Sequence, residues 1–344
     1  MSQALHMLRA FLAQPRDPRL GLFTGDALYE MGEREAAVAV WSMADDFDPR
    51  IRRLRQAADA PAEAIAASRR ADAAFRAHFS ELHRRAIDTF QQRCDGDISR
   101  VLQAIWPMTH DAPFTWQHPL QQPAIFYLPG LAAQPVTPNS ALPWSGPVMA
   151  AWEAIASEYQ AAMAQAIELA PYVPASARDP RWQTLSGTLD WSAIHLYQQG
   201  QRTAHAARFP RTLEALAQAD LVRVNGEPME IFFSRLRPGA HIPPHFGLTN
   251  TRLTVHLPIT VPTPCAIRVG EATCHWREGV ITAFDDSFEH EAWNRSDSDR
   301  VVLIFEAHHP GLSADERAAI EQAYSVRQAW LDGRRALLEA LLRG

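Results

Sequence analysis

The chain has 344 residues, 47% of them hydrophobic, and a formal net charge of −6. This is too long for one small core and too apolar for global disorder, and an acidic balance without a basic, aromatic-laced stripe argues against a nucleic-acid partner. Every basic residue is arginine, so neither a pyridoxal Schiff base nor a lysine-armed phosphate loop can form, and an anion must be held by a planar guanidinium fork, which suits carboxylates.

Residues 1–110 read as helical. "GDALYEMGEREAAVAVWSMADDFDP" places apolar residues at helical spacing, with a glycine turn and an Asp-Pro stop, in the manner of one tetratricopeptide-like helix pair. A single pair reads equally well as a plain helical cap, because repeat arrays need about three units to bury a continuous core. Residues 111–180 combine a proline-rich stretch, Trp106 to Trp144, with an amphipathic helix over Pro147–Leu169. Helix cannot persist through so many prolines, so the stretch reads as linker and edge strand.

From 181 to 312 short β-branched and aromatic runs alternate with Gly, Pro, Asp and Asn, the signature of an antiparallel sandwich or barrel. The tail, 313–344, opens with Ser313 and Glu316 as a capping box and reads as helix, packed on the sandwich or on a second copy as a homodimer. The class expected is α+β. No apolar run reaches the ~20 residues of a membrane span, the N-terminus lacks a secretory pattern, and Cys94, Cys265 and Cys274 form no even or CxxC set. A cytoplasmic location is the expectation.

The chemistry concentrates in "HIPPHFGLTNTRLTVHLPI", from His241 to Ile259. Pro243 and Pro244 stiffen the backbone before His245, and Gly247 lets it turn. His290 opens another run 45 residues later, far enough for intervening strands to bring both rings to one barrel mouth. Arg300 begins an otherwise apolar strand, where an inward guanidinium needs an anionic partner. Two histidines and an arginine for a carboxylate fit a non-haem Fe(II) centre that binds 2-oxoglutarate and O2. A zinc hydrolase built on His241, His245 and His290 is the alternative. A non-catalytic cupin-like binding protein with a helical interaction arm is another.

"GTLDWSAIHLYQQGQR", "FSRLRPGAHIPPHFGLTNTRLTVHLPI" and "FDDSFEHEAWNRSDSDRVVLIFEAHHP" together resemble the aspartyl/asparaginyl β-hydroxylases, Fe(II)/2-oxoglutarate dioxygenases on the double-stranded β-helix (jelly-roll) fold. The resemblance spans roughly 182–310. It implies that His245 and His290 ligate iron, and that Arg300 pairs with the distal carboxylate of 2-oxoglutarate with Ser234 beside it. It also implies that His256 and Trp191 line the co-substrate pocket. Gly247 falls where most such oxygenases carry an acidic ligand; the β-hydroxylase branch has glycine there too, with water completing the coordination. The implied reaction is hydroxylation of an unactivated carbon, with a protein, peptide or amino-acid-like substrate. Two positions depart from the animal enzymes: Thr254 and Phe232 stand where those have arginine and lysine. Arg252 is expected on the opposite face of its strand. Asp285, Asp286 and Glu289 read as ring-orienting groups or as a solvated turn.

Overall fold

A computed structural model describes residues 2–57 and 59–343, which form two compact units. One comprises 1–114 together with 313–344; the other is 115–312. Among the described residues no helix is long and apolar enough to cross a membrane.

The first unit is helical. α1 (Gln3–Ala13), α2 (Pro18–Glu30) and α3 (Arg34–Asp45) lead into α4 (Ala62–Gln91). Gly25 has to be a glycine, because a Cβ there would strike the Trp41 indole, whose Nε1 donates to Leu22 O at 2.9 Å. After this tightly packed pair comes one 30-residue helix, α4, rather than a second short pair, so the tetratricopeptide-like reading is not confirmed. The tail, expected against the sandwich or a second copy, belongs to this unit. Its helix (Ala314–Arg343) returns to this unit: Trp330, Leu331 and Leu337 lie on a core containing Leu8, Phe11, Trp41 and Phe79. The capping box forms, with Glu316 N donating to Ser313 Oγ at 3.1 Å and Ser313 N to Glu316 Oε2 at 2.9 Å.

The second unit is built on two antiparallel sheets. In chain order the strands are β1 (Val136–Thr137), β2 (Ala170–Pro171), β3 (Trp191–Gln198), β4 (Glu230–Leu236), β5 (His241–His245), β6 (Arg252–Thr260), β7 (Cys265–Val269), β8 (Ala272–Cys274), β9 (Thr282–Phe284), β10 (His290–Asn294) and β11 (Arg300–His308). The larger sheet runs β1-β9-β6-β11-β4-β3-β2, with Gln201–Arg202 hairpinned onto β3; the smaller runs β8-β7-β10-β5. This is a cupin-like jelly roll, in an α+β chain.

Strand alternation builds two cores at once. On β6 the odd residues Leu253, Val255, Leu257 and Ile259 join Phe233, Leu303 and Phe305 beneath the helix Trp152–Ala164. The even residues Arg252, Thr254 and His256 share the other face. Arg252 therefore lies on the same side as His256, contrary to the sequence expectation; a period of two puts 252, 254 and 256 together. Between the sheets lies a second core that includes Trp191, Leu236, Ile267, Trp276, Phe284 and Phe288.

The segment expected to link domains is largely part of the second unit. Phe126, Tyr127 and Leu128 are buried, and Asn250 clasps Leu128 from both sides, accepting from its N at 2.8 Å and donating to its O at 2.9 Å. Prolines forbid helix here but not burial, since the freed backbone groups find side-chain partners.

Candidate metal centre

His245 ends β5 and His290 begins β10, and the two are directly paired across the sheet. Their ring centroids are 4.0 Å apart. Each ring is held by its own chain: His245 Nδ1 contacts Pro243 O at 2.8 Å, and His290 Nδ1 contacts Phe288 O at 2.9 Å. A carbonyl only accepts, so both rings carry their proton on Nδ1 and keep the Nε2 lone pair for a ligand. Burial pushes both imidazoles down to about 4, so they are neutral at pH 7. Two neutral donors with fixed tautomers meet the requirements of a metal site. Trp182 packs its ring against His245 at 5.0 Å, and Phe284 against His290 at 5.6 Å.

Deeper between the sheets is an anion-seeking end. Arg300 is 1% exposed, and its Nε and Nη1 have no hydrogen-bond partner. Burial draws its guanidinium down to about 10. Ser234, also buried, accepts from Trp191 Nε1 at 3.1 Å. His256 lies between Trp276 (5.6 Å) and Phe284 (5.0 Å) with Nδ1 unpartnered. Desolvation, followed by the positive field of Arg300 and then His290, holds this imidazole far below its ordinary value. His256 thus feels both ends of the site.

His241 does not join the pair. Its Nε2 contacts Glu291 Oε2 at 2.7 Å and its side chain is half exposed. Among the described residues no group of three His, Cys, Asp or Glu side chains is placed to hold a metal. The three-histidine zinc arrangement is therefore not formed.

The acidic turn before His290 divides into separate roles. Asp285 is buried and accepts from Ser287 N at 2.9 Å and Gln121 Nε2 at 2.8 Å, which pins the turn. Glu289 pairs with Arg268 at 2.9 Å. Asp286 stands against Gly247: a Cβ at 247 would strike its carboxylate, and Gly247 N donates to Asp286 O at 2.6 Å. Glycine is thus required at 247 because the space a side chain would take already holds a carboxylate. Asp286 Oδ2 accepts from Thr254 Oγ1 at 3.1 Å, while Oδ1 is unpartnered. Burial raises this carboxyl, against the opposing pull of Arg252. Beyond Thr254, Arg252 pairs with Glu306 at 3.0 Å, and burial pushes the Glu306 carboxyl up to about 7.

Sequence reasoning missed Trp276 and gave Asp286 no distinct role. Trp276 sits in "ATCHWREG", an unremarkable strand-and-turn run, and its contacts with Arg300 and His256 become visible only in the fold.

Residues 149–310 match the family model described as Aspartyl/Asparaginyl beta-hydroxylase. The human aspartyl/asparaginyl beta-hydroxylase is 37% identical over 146 residues, 41% of this chain and 19% of that protein. The ornithine lipid ester-linked acyl 2-hydroxylase of Rhizobium tropici is 32% identical over 178 residues, 51% of this chain and 60% of that protein. The human aspartate beta-hydroxylase domain-containing protein 2 is 29% identical over 209 residues, 59% of this chain and 54% of that protein. The match thus spans about a fifth of the length of the human aspartyl/asparaginyl beta-hydroxylase and about 60% of the rhizobial protein. Both candidate ligands and Arg300 fall inside 149–310, the segment that is similar to the aspartyl/asparaginyl β-hydroxylase family model.

Proposed function

We propose that the protein is an Fe(II)- and 2-oxoglutarate-dependent dioxygenase that hydroxylates an unactivated carbon, the β-carbon of an aspartyl or asparaginyl residue or of a related amino-acid or peptide substrate. One observation carries the reading: two imidazoles, each held at Nδ1 by a carbonyl of its own chain, share an interior with a buried guanidinium that has two unpartnered N–H-bearing nitrogens. His245 and His290 would hold the iron. Arg300, with Ser234, would hold the distal carboxylate of the co-substrate. When bound, iron and 2-oxoglutarate supply the oxidising power that places one oxygen atom of O2 on carbon, with succinate and carbon dioxide as co-products.

The chain's own contribution is placement and dryness. Trp191, Phe284 and His256 wall the interior, and burial keeps His256 neutral, so it does not compete for the carboxylate as a second cation would. Asp286 offers the unpartnered Oδ1 as an acceptor in the space that residue 247 leaves open. Arg252 shares the face of His256, which supports a substrate bearing a carboxylate or amide, with Glu306 as the partner such a substrate competes against. A second substrate class, a lipid acyl carbon, is favoured by the apolar inner patch of Ala193, Phe232, Val302 and Ile304, where Phe232 replaces the lysine of the animal enzymes.

The test is succinate release from 2-oxoglutarate by protein loaded anaerobically with Fe(II) and then given O2. Candidate aspartyl and asparaginyl peptides and acyl lipids are screened alongside for a gain of one oxygen atom. Loss of succinate release in His290→Ala is expected. A folded wild-type protein that neither binds nor turns over 2-oxoglutarate overturns the reading.

A further inference from the structure

Trp276 is 7% exposed, and its indole Nε1 is a buried atom with no hydrogen-bond partner. An indole N–H can only donate, and buried ones nearly always find an acceptor. Its surroundings explain the anomaly. The Arg300 guanidinium carbon lies 4.8 Å over the Trp276 ring, and His256 packs against the same ring. Arg300 itself carries two buried nitrogens without partners. Two unpartnered donor groups, one cationic and one neutral, thus adjoin one another in the same dry core between the sheets. The burial of both is a cost unless an acceptor with several lone pairs joins them. A carboxylate is such an acceptor, with two oxygens and about four lone-pair sites.

We propose that Trp276 is a further co-substrate-binding residue, whose indole N–H donates to the same distal carboxylate that Arg300 holds. This rests on the dioxygenase reading above. The ring also lies beneath the guanidinium carbon at 4.8 Å, so it positions Arg300 while its N–H adds a second kind of donor. A neutral donor discriminates by position rather than by charge. It therefore favours a dicarboxylate of one length over keto acids that lack the distal group.

The experiment is calorimetric titration of 2-oxoglutarate, and of 2-oxobutyrate, which lacks the distal carboxylate, into Mn(II)-loaded protein without O2. Trp276→Phe keeps a ring for the guanidinium and removes the donor. A loss of roughly ten- to a hundredfold in 2-oxoglutarate affinity is expected, the value of one hydrogen bond to a charged acceptor. The 2-oxobutyrate affinity should not change. The unloaded variant should melt no lower than wild type, because the lost group had no partner. An independent readout needs no variant affinity. In 15N-tryptophan protein loaded with Zn(II), the indole N–H resonance that is absent in Trp276→Phe should move when 2-oxoglutarate is added. Equal 2-oxoglutarate affinity in variant and wild type, or an equal loss for both keto acids, overturns the role given to Trp276 and leaves the dioxygenase reading standing. Wild-type protein that binds no 2-oxoglutarate overturns both.

Discussion

Two arginines are buried almost equally deeply, one in each unit, and they live in opposite circumstances. Arg52, 6% exposed among the helices, meets Asp45 at 2.9 Å and Asp72 at 3.2 Å. Arg300, 1% exposed between the sheets, has no such acid. The helical unit supplies two acids for Arg52, whose guanidinium is a structural tie. The jelly roll supplies no acid for its guanidinium, which under the proposed function the co-substrate's distal carboxylate completes.

The comparison can be broken most severely at the metal end. His245→Ala or His290→Ala should cut succinate release by at least about a hundredfold, since even outer-shell partners of metal ligands are worth ten- to a hundredfold. Metal content by mass spectrometry of the purified protein checks the cause. Next come the two arginines. Arg300→Met should weaken 2-oxoglutarate binding at least about thirtyfold while leaving the unloaded protein as stable as wild type or more so. Arg52→Met takes from Asp45 its arginine partner and from Asp72 one of two, Arg76 remaining at 3.0 Å, and should cost about 3 kcal/mol in a denaturant titration. Equal destabilisation by both changes would erase the distinction.

A smaller effect is expected at Gly247. Gly247→Ala forces a methyl group onto the Asp286 carboxylate and should cost about 1–3 kcal/mol. Adding Asp286→Ala should recover most of that, because the obstruction is gone; a purely additive double variant would contradict the contact. The smallest effect concerns pH in metal-free protein. His245 and His290 titrate near 4 when folded, against 6.5 for the free side chain. The unfolded chain takes up protons first as pH falls, so their contribution to stability is complete above 6.5 and is lost between 6.5 and 4. The melting temperature should drop by a few degrees between pH 7 and 5, and the slope should flatten in a His245→Gln, His290→Gln variant.

Much of this was legible in the chain itself. The Pro-Pro-His-Phe-Gly run announced a restrained ring, and the apolar strand behind Arg300 announced an inward cation. Short punctuated strands announced the jelly roll. Other features needed three dimensions. Prolines between Trp106 and Trp144 argued correctly against helix, but said nothing of the side-chain amide, Asn250, that buries their neighbours. The side of the sheet that Arg252 occupies follows from counting by twos, yet its engagement by Glu306 depends on strand register. Nothing local to Gly247 shows that Asp286, 39 positions on, fills its space. The unpartnered indole of Trp276 is a fact about what surrounds it.

The tail helix has a consequence for how the polypeptide is made. Trp330 Nε1 reaches Glu35 at 3.1 Å, and Arg334 Nη1 reaches Ser42 at 2.6 Å, across separations of 295 and 292 residues. The helices before residue 114 emerge from a ribosome ahead of the jelly-roll strands, but the surface that completes their core emerges only after all of those strands. Closing so wide a loop costs entropy before any contact repays it. A nascent chain arrested before Ala314 should therefore display apolar helix faces to chaperones and proteases, with its jelly-roll strands already synthesised.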